Sequence, residues 1–122
     1  QQSGTSEITS ALKGCTLHER WESVGGFVGE SFSSYDRATK QWHQTWVDVQ
    51  GDVWKTDGGI VDGKMILTRE ERSQKDSTKM ITHRWTWGQE ADADHVYQRA
   101  EFSNDGGKTW QMYFDGHYVR RK

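Results

Sequence analysis

The chain has 122 residues, only 32% of them apolar, and a net charge of −2. This length supports one domain with a single core. No apolar run nears the roughly 18 residues of a membrane helix, and no basic stretch beyond the terminal Arg120-Arg121-Lys122 could answer a phosphate backbone.

The low apolar share does not imply disorder. The 7 Trp, 4 Tyr and 4 Phe concentrate burial in large rings, each able to bury roughly 150–250 Å². Proline is absent and 13 glycines punctuate the chain. Apolar residues recur with period two, the signature of half-buried strands. The alternation predicts strands over 5–12, 16–23, 27–35, 41–49, 52–57, 64–70, 79–87, 95–103 and 109–119.

Ahead of the first strand, residues 1–4 read as a disordered or trimmed leader, since the chain begins with Gln1 and not Met. After it comes Cys15, the only cysteine, which excludes an internal disulfide and is expected to be a buried structural thiol. The second strand sets Leu17, Glu19 and Trp21 against His18 and Arg20. Gly25-Gly26 leads into the third, and Asp36 to Lys40 joins the third to the fourth. There Trp42, Gln44, Trp46 and Asp48 share one face, with His43, Thr45 and Val47 on the other. Gln50-Gly51-Asp52 and Val61-Asp62-Gly63-Lys64 suit tight hairpins, and Gly58-Gly59 reads as hairpin glycines rather than a phosphate cradle, because no helix follows. The seventh strand places Ile81, His83, Trp85 and Trp87 on one face. In the ninth, Trp110, Met112, Phe114 and Tyr118 oppose Gln111, Tyr113 and Asp115.

Turn signals every 8–12 residues with no helical stretch indicate an all-β fold. The expected architecture is an antiparallel up-and-down meander of about nine strands, closed or nearly closed into a barrel. Its interior face takes the indoles together with Glu19, Gln44, Asp48, His83 and Gln98. Buried polar groups need partners or water. The rows therefore describe either a hydrogen-bonded network that fixes register, or a wet, aromatic-walled cavity with oriented polar groups, as small-molecule sites are built.

Four stretches carry a resemblance over residues 5–121: Gly29-Glu30-Ser31-Phe32-Ser33-Ser34-Tyr35-Asp36, Trp42-His43-Gln44-Thr45-Trp46-Val47-Asp48, Asp62-Gly63-Lys64-Met65, and Asp105-Gly106-Gly107-Lys108-Thr109-Trp110 with Phe114-Asp115-Gly116. Gly14-Cys15 with Glu19 and Trp21, and Arg84-Trp85-Thr86-Trp87, fit it too. These stretches resemble a largely uncharacterised family of small bacterial proteins, similar to calycin-like barrels of the lipocalin or fatty-acid-binding type. The resemblance implies a barrel fold and export from the cytoplasm, and it lends no established reaction. Two departures stand out. Relatives begin with an aromatic strand ahead of the position of Ser6, where this chain has only Gln1 to Gly4, and they tend to carry Trp where this chain has Ala100. An omitted strand implies an open seam through which a second copy could pair. The lost indole implies a larger cavity.

The leading expectation is binding of a small apolar or aromatic ligand by Trp21, Ser31, Trp42, Gln44, Trp46, Trp85, Trp87, Gln98, Trp110 and Phe114. The rival is a cofactor-free enzyme, a cyclase, isomerase or hydrolase moving protons with Glu19, Asp48 and His83. A third is a structural or partner-binding module dimerising through the open edge. No metal site is expected, because the five histidines, His18, His43, His83, His95 and His117, form no His-x-His or His-x-x-x-His pair. No cofactor is expected, with haem held by His83 as the alternative. No Gly-x-Ser-x-Gly supplies a nucleophile. Trp54 and Tyr97 are candidates for an exposed aromatic surface.

Overall fold

The computed structural model describes residues 3–121. It is all-β: β1 (Gly4–Ala11), β2 (Thr16–Ser23), β3 (Val28–Asp36), β4 (Gln41–Asp48), β5 (Val53–Val61), β6 (Lys64–Arg72), β7 (Met80–Gln89), β8 (His95–Ser103) and β9 (Gln111–Val119). The nine strands are antiparallel and follow one another in the sheet as they do in the chain, an up-and-down meander. The one helical piece among the described residues is a single 3₁₀ turn, Leu12–Gly14.

Most of the expected strands agree within two or three residues, because short strands bounded by turn residues leave the pattern little freedom. β5 differs. It runs on through Gly58 and Gly59, so these are strand residues and not hairpin glycines. A Cβ on Gly58 would lie 2.0 Å from the Ile66 carbonyl oxygen, and only glycine permits that approach between β5 and β6. Cys15 is exposed, which corrects the buried-thiol expectation; it follows the 3₁₀ turn and no strand face covers it. Gly4 opens β1 rather than belonging to a leader, while positions 1 and 2 lie outside the described residues.

The chain divides into two compact units, one up to Asp57 and one from Gly58 onward. In the first, β1 to β4 pair so that Ile8 faces Glu19, Glu19 faces Ser31, Ser31 faces Trp46 and Ser33 faces Gln44. Its buried polar residues are Thr16, Ser31 and Thr56. Thr16 satisfies its hydroxyl by donating to the Ser33 carbonyl at 2.9 Å. In the second unit, Leu67, Trp85 and Ala100 stand opposite one another across β6, β7 and β8 and form the buried apolar centre. Between β8 and β9 the register shifts at Ala100/Glu101: Ala100 pairs with Phe114 and Glu101 with Met112. Tyr113 is the extra residue of this bulge, and an extra residue re-aims side chains.

Candidate functional site

Directly opposite residues in an antiparallel pair share a face, so the register assembles the site row by row. In the first unit one face carries Ser6 and Ile8 of β1, Glu19 and Trp21 of β2, Gly29, Ser31, Ser33 and Tyr35 of β3, and Trp42, Gln44, Trp46 and Asp48 of β4. Phe27 joins them from the β2–β3 connection, where its amide donates to Ser23 Oγ at 3.0 Å. Its ring stacks on Trp46 at 6.5 Å and meets the edge of Trp21 at 5.9 Å. The Trp46 indole lies against Gly29, whose Cβ would come 2.0 Å from Cζ2.

The polar members of this face are tied to one another. Ser6 Oγ donates to Glu19 Oε2 at 2.8 Å and Ser31 Oγ to Glu19 Oε1 at 3.2 Å. Gln44 Nε2 donates to Ser33 Oγ at 3.0 Å. Asp48 accepts Trp46 Nε1 at 2.9 Å together with the Gln50 and Asp52 amides. Burial acts to raise the Asp48 carboxyl, but these donors outweigh it and hold it below the usual carboxylate range. An acceptor so committed pins the β4–β5 turn; it is poorly placed to take a proton near neutrality.

The second unit builds a different cluster. His83 and Trp85 of β7 stack at 5.8 Å, and Tyr113 sets its edge against both, at 6.0 and 6.5 Å. Phe102 of β8 meets Tyr113 at 6.0 Å. His83 Nδ1 lies 3.2 Å from the Tyr113 hydroxyl. Nε2 is buried without a hydrogen bond, 3.4 Å from Glu71 Oε1. Glu71 in turn takes Arg69 Nη1 at 3.1 Å. Burial pushes His83 below the ordinary imidazole value, Glu71 working against it and Arg69 with it. Burial also pushes the Tyr113 hydroxyl up to about 12, with Arg69 opposing. At neutral pH both rings are therefore uncharged. Beside them Trp87 faces Gln98, whose Oε1 accepts the Tyr118 hydroxyl at 3.1 Å, and Phe114 faces Ala100.

Of the sequence candidates, Trp21, Ser31, Trp42, Gln44 and Trp46 share a face with Glu19 and Asp48 in the first unit, and Trp85, Trp87, Gln98 and Phe114 share one with His83 in the second. Trp110 does not. It precedes β9, donates Nε1 to the Gly107 carbonyl at 3.2 Å, and stacks under the Arg84 guanidinium at 3.8 Å. Arg84 pairs with Glu101 on the face opposite Trp85, so the interior placement of Trp110 is corrected. Met112, in register with Glu101, leaves the interior row as well. The reason is the bulge: alternation counted back from Phe114 slips by one residue, sending Tyr113 inward and Met112 outward. Tyr113 carried no sequence signal. Arg69 and Glu71 had one, since they alternate with Met65 and Leu67 along β6.

Trp54 and Tyr97 are half-buried, the latter lying over Gly88 with Arg99 above its ring. His18 and His43 stand opposite the indole face, as expected. His18 Nε2 meets Glu30 at 2.7 Å, and His43 lies between Asp36 and Asp57. A shallow depression of about 320 Å³ also opens on that outer face, lined by Arg20, Val28, Glu30 and Val47. Among the described residues no group of three or more His, Cys, Asp or Glu side chains could hold a metal ion. No helix there is long and apolar enough to cross a membrane. No protein-family model and no curated protein matches the chain significantly.

Proposed function

We propose that this chain binds a small apolar or aromatic molecule on an indole-bearing face of its sheet. The observation that carries the reading is incomplete burial. Trp21, Phe27, Trp42 and Trp46 are not fully buried and Tyr35 is 47% exposed, although all share a face with hydrogen-bonded Glu19, Ser31 and Gln44. Apolar area left in water is a driving force for a ligand, at roughly 25 cal/mol per Å² covered. Tied polar groups beside it supply orientation without an unpaired cost. A titration of intrinsic tryptophan fluorescence with fatty acids, aromatic compounds and haem tests this. Saturable quenching by an aromatic or apolar compound is the expected result, and a flat response to the whole panel removes the reading.

The proton-transfer reading narrows to one residue. Asp48 is committed to the β4–β5 turn and Glu19 to two serines, whereas His83 keeps a buried nitrogen without a hydrogen bond. Pairing with a second copy is favoured by one feature, the position of β1 at an end of the strand order with Ile8 61% exposed on it. A molar mass equal to the monomer at every concentration would remove that reading.

A further inference from the structure

We infer that Tyr113, backed by His83 and Glu71, is a proton-accepting site for a planar ligand bearing an acidic hydroxyl, a phenol or an enol. The inference rests on the ligand-binding reading and names the ligand class for the face of the second unit. Tyr113, the extra residue of the bulge, is 46% exposed, so it is the member of the cluster that a ligand can reach. His83 stands behind it, its side chain only 14% exposed. A tyrosine that donates to an imidazole presents its own oxygen lone pairs outward. The complement to that oxygen is a ligand O–H. Trp85 and Phe102, flanking Tyr113, favour a flat body over a branched one.

The groups facing His83 act in both directions: Glu71 favours its protonated form, while burial and Arg69 oppose it. From β6 come Glu71, 3.4 Å from Nε2, and Arg69, directly across the strand pair; from β8 comes Phe102; from β9 comes Tyr113 at 3.2 Å. The ligand O–H breaks as its proton passes to Tyr113 Oη, while the Tyr113 O–H breaks as its proton passes to His83 Nδ1. Tyr113 ends neutral, the ligand is an oxyanion, and His83 is an imidazolium whose Nε2–H turns toward Glu71. At the Tyr113 hydroxyl Arg69 favours negative charge and Glu71 opposes it, so Arg69 is the group that would steady the oxyanion.

Two probes separate binding from proton transfer: p-nitrophenol, whose phenolate absorbs visibly and forms near neutral pH, and p-nitroanisole, which has no proton to give. Occupancy is read by equilibrium dialysis and ionisation by visible absorbance. The wild-type protein should hold p-nitrophenol roughly tenfold more tightly than p-nitroanisole, as one charge-assisted hydrogen bond predicts, and the bound phenol should be enriched in phenolate. Tyr113→Phe should bind both alike. His83→Gln should bind p-nitrophenol without the added phenolate. Equal binding of the two probes by wild type, with no added phenolate, overturns the inference and leaves the ligand-binding reading standing. Binding of neither probe overturns this inference; the wider reading then falls only if its own panel is also flat. If a variant loses its near-ultraviolet circular dichroism, the wild-type comparison of the two probes decides alone.

Discussion

Gly29 and Trp46 show how single residues set the site. The indole occupies the space where any other residue at position 29 would place its Cβ, 2.0 Å from Cζ2 and 2.2 Å from Cη2. Gly29→Ala must therefore displace the ring, and with it the stack on Phe27 and the bond to Asp48. Overpacking of this kind costs about 1–3 kcal/mol. Urea unfolding should show that loss, together with a changed near-ultraviolet dichroism from the indoles; a variant matching wild type in both would contradict the packing described. The grouping of Glu19, Gln44 and Asp48 with Trp21, Trp42 and Trp46 was legible because strict alternation on β2 and β4 leaves no other face for them. Tyr113 was not legible. One inserted residue moved it across the sheet, and nothing in Met112-Tyr113-Phe114 marks a bulge before the register with β8 is known.

At the scale of elements, the β8–β9 hairpin is held by one carboxylate. Asp105 Oδ1 accepts the Lys108 and Thr109 amides at 3.0 and 2.9 Å, and Ser103 Oγ donates to it at 2.7 Å. The Thr109 hydroxyl, the Thr109 amide and Ser103 hold this carboxyl far below the ordinary range. Asp105→Ala should lower the thermal midpoint and speed hydrogen exchange at the Lys108 and Thr109 amides before the rest of the sheet opens; unchanged exchange there would contradict the role. Burial in the second unit centres on Leu67, 1% exposed between Trp85 and its neighbours. Leu67→Ala should cost about 2–5 kcal/mol, read as a shift in the urea midpoint. A loss below about 1 kcal/mol would mean the site collapses onto the gap.

The strands themselves were readable because Asp62-Gly63, Gly25-Gly26 and Asn104 to Lys108 mark their ends by turn chemistry that β residues do not share. β5 escaped because Gly58-Gly59 has the composition of a turn, whereas Gly58 serves a close crossing with β6. The sequence equally could not show that Trp110 leaves the aromatic row. Its ring is placed by Gly107 and Arg84, contacts that exist only once the hairpin has folded.

For the whole molecule, titration sets a window of stability. Asp105, Asp36, Glu30 and Asp92 are held low by hydrogen bonds, led respectively by the Thr109 side chain, the Ala38 amide, His18 and His95. Their contribution is present above the unfolded carboxyl values of about 4 and is lost as pH falls through the folded ones. His43, His95 and His117 are raised, by hydrogen bonds to Asp57, Asp92 and Glu90 first. Their contribution is present below about 6.5 and is lost as pH rises through the folded values. His83, lowered by burial, works the other way: its contribution is present above about 6.5 and fades as pH falls. Three against one, the thermal midpoint should be highest at about pH 5–6. A midpoint climbing steadily from there to pH 8 would contradict these pairings.

The claim beneath the functional account is that a molecule settles on the face of Trp21 and Trp46 in the first unit or on that of Trp85 in the second, and not on the face of Trp110. Indole N–H resonances of the seven tryptophans, assigned by single substitution, report this directly in one titration with p-nitroanisole. The account predicts saturable shifts at Trp85 or at Trp21 and Trp46, with Trp110 unmoved. Shifts confined to Trp110, or none at any indole with a compound that the fluorescence panel shows to bind, would contradict it.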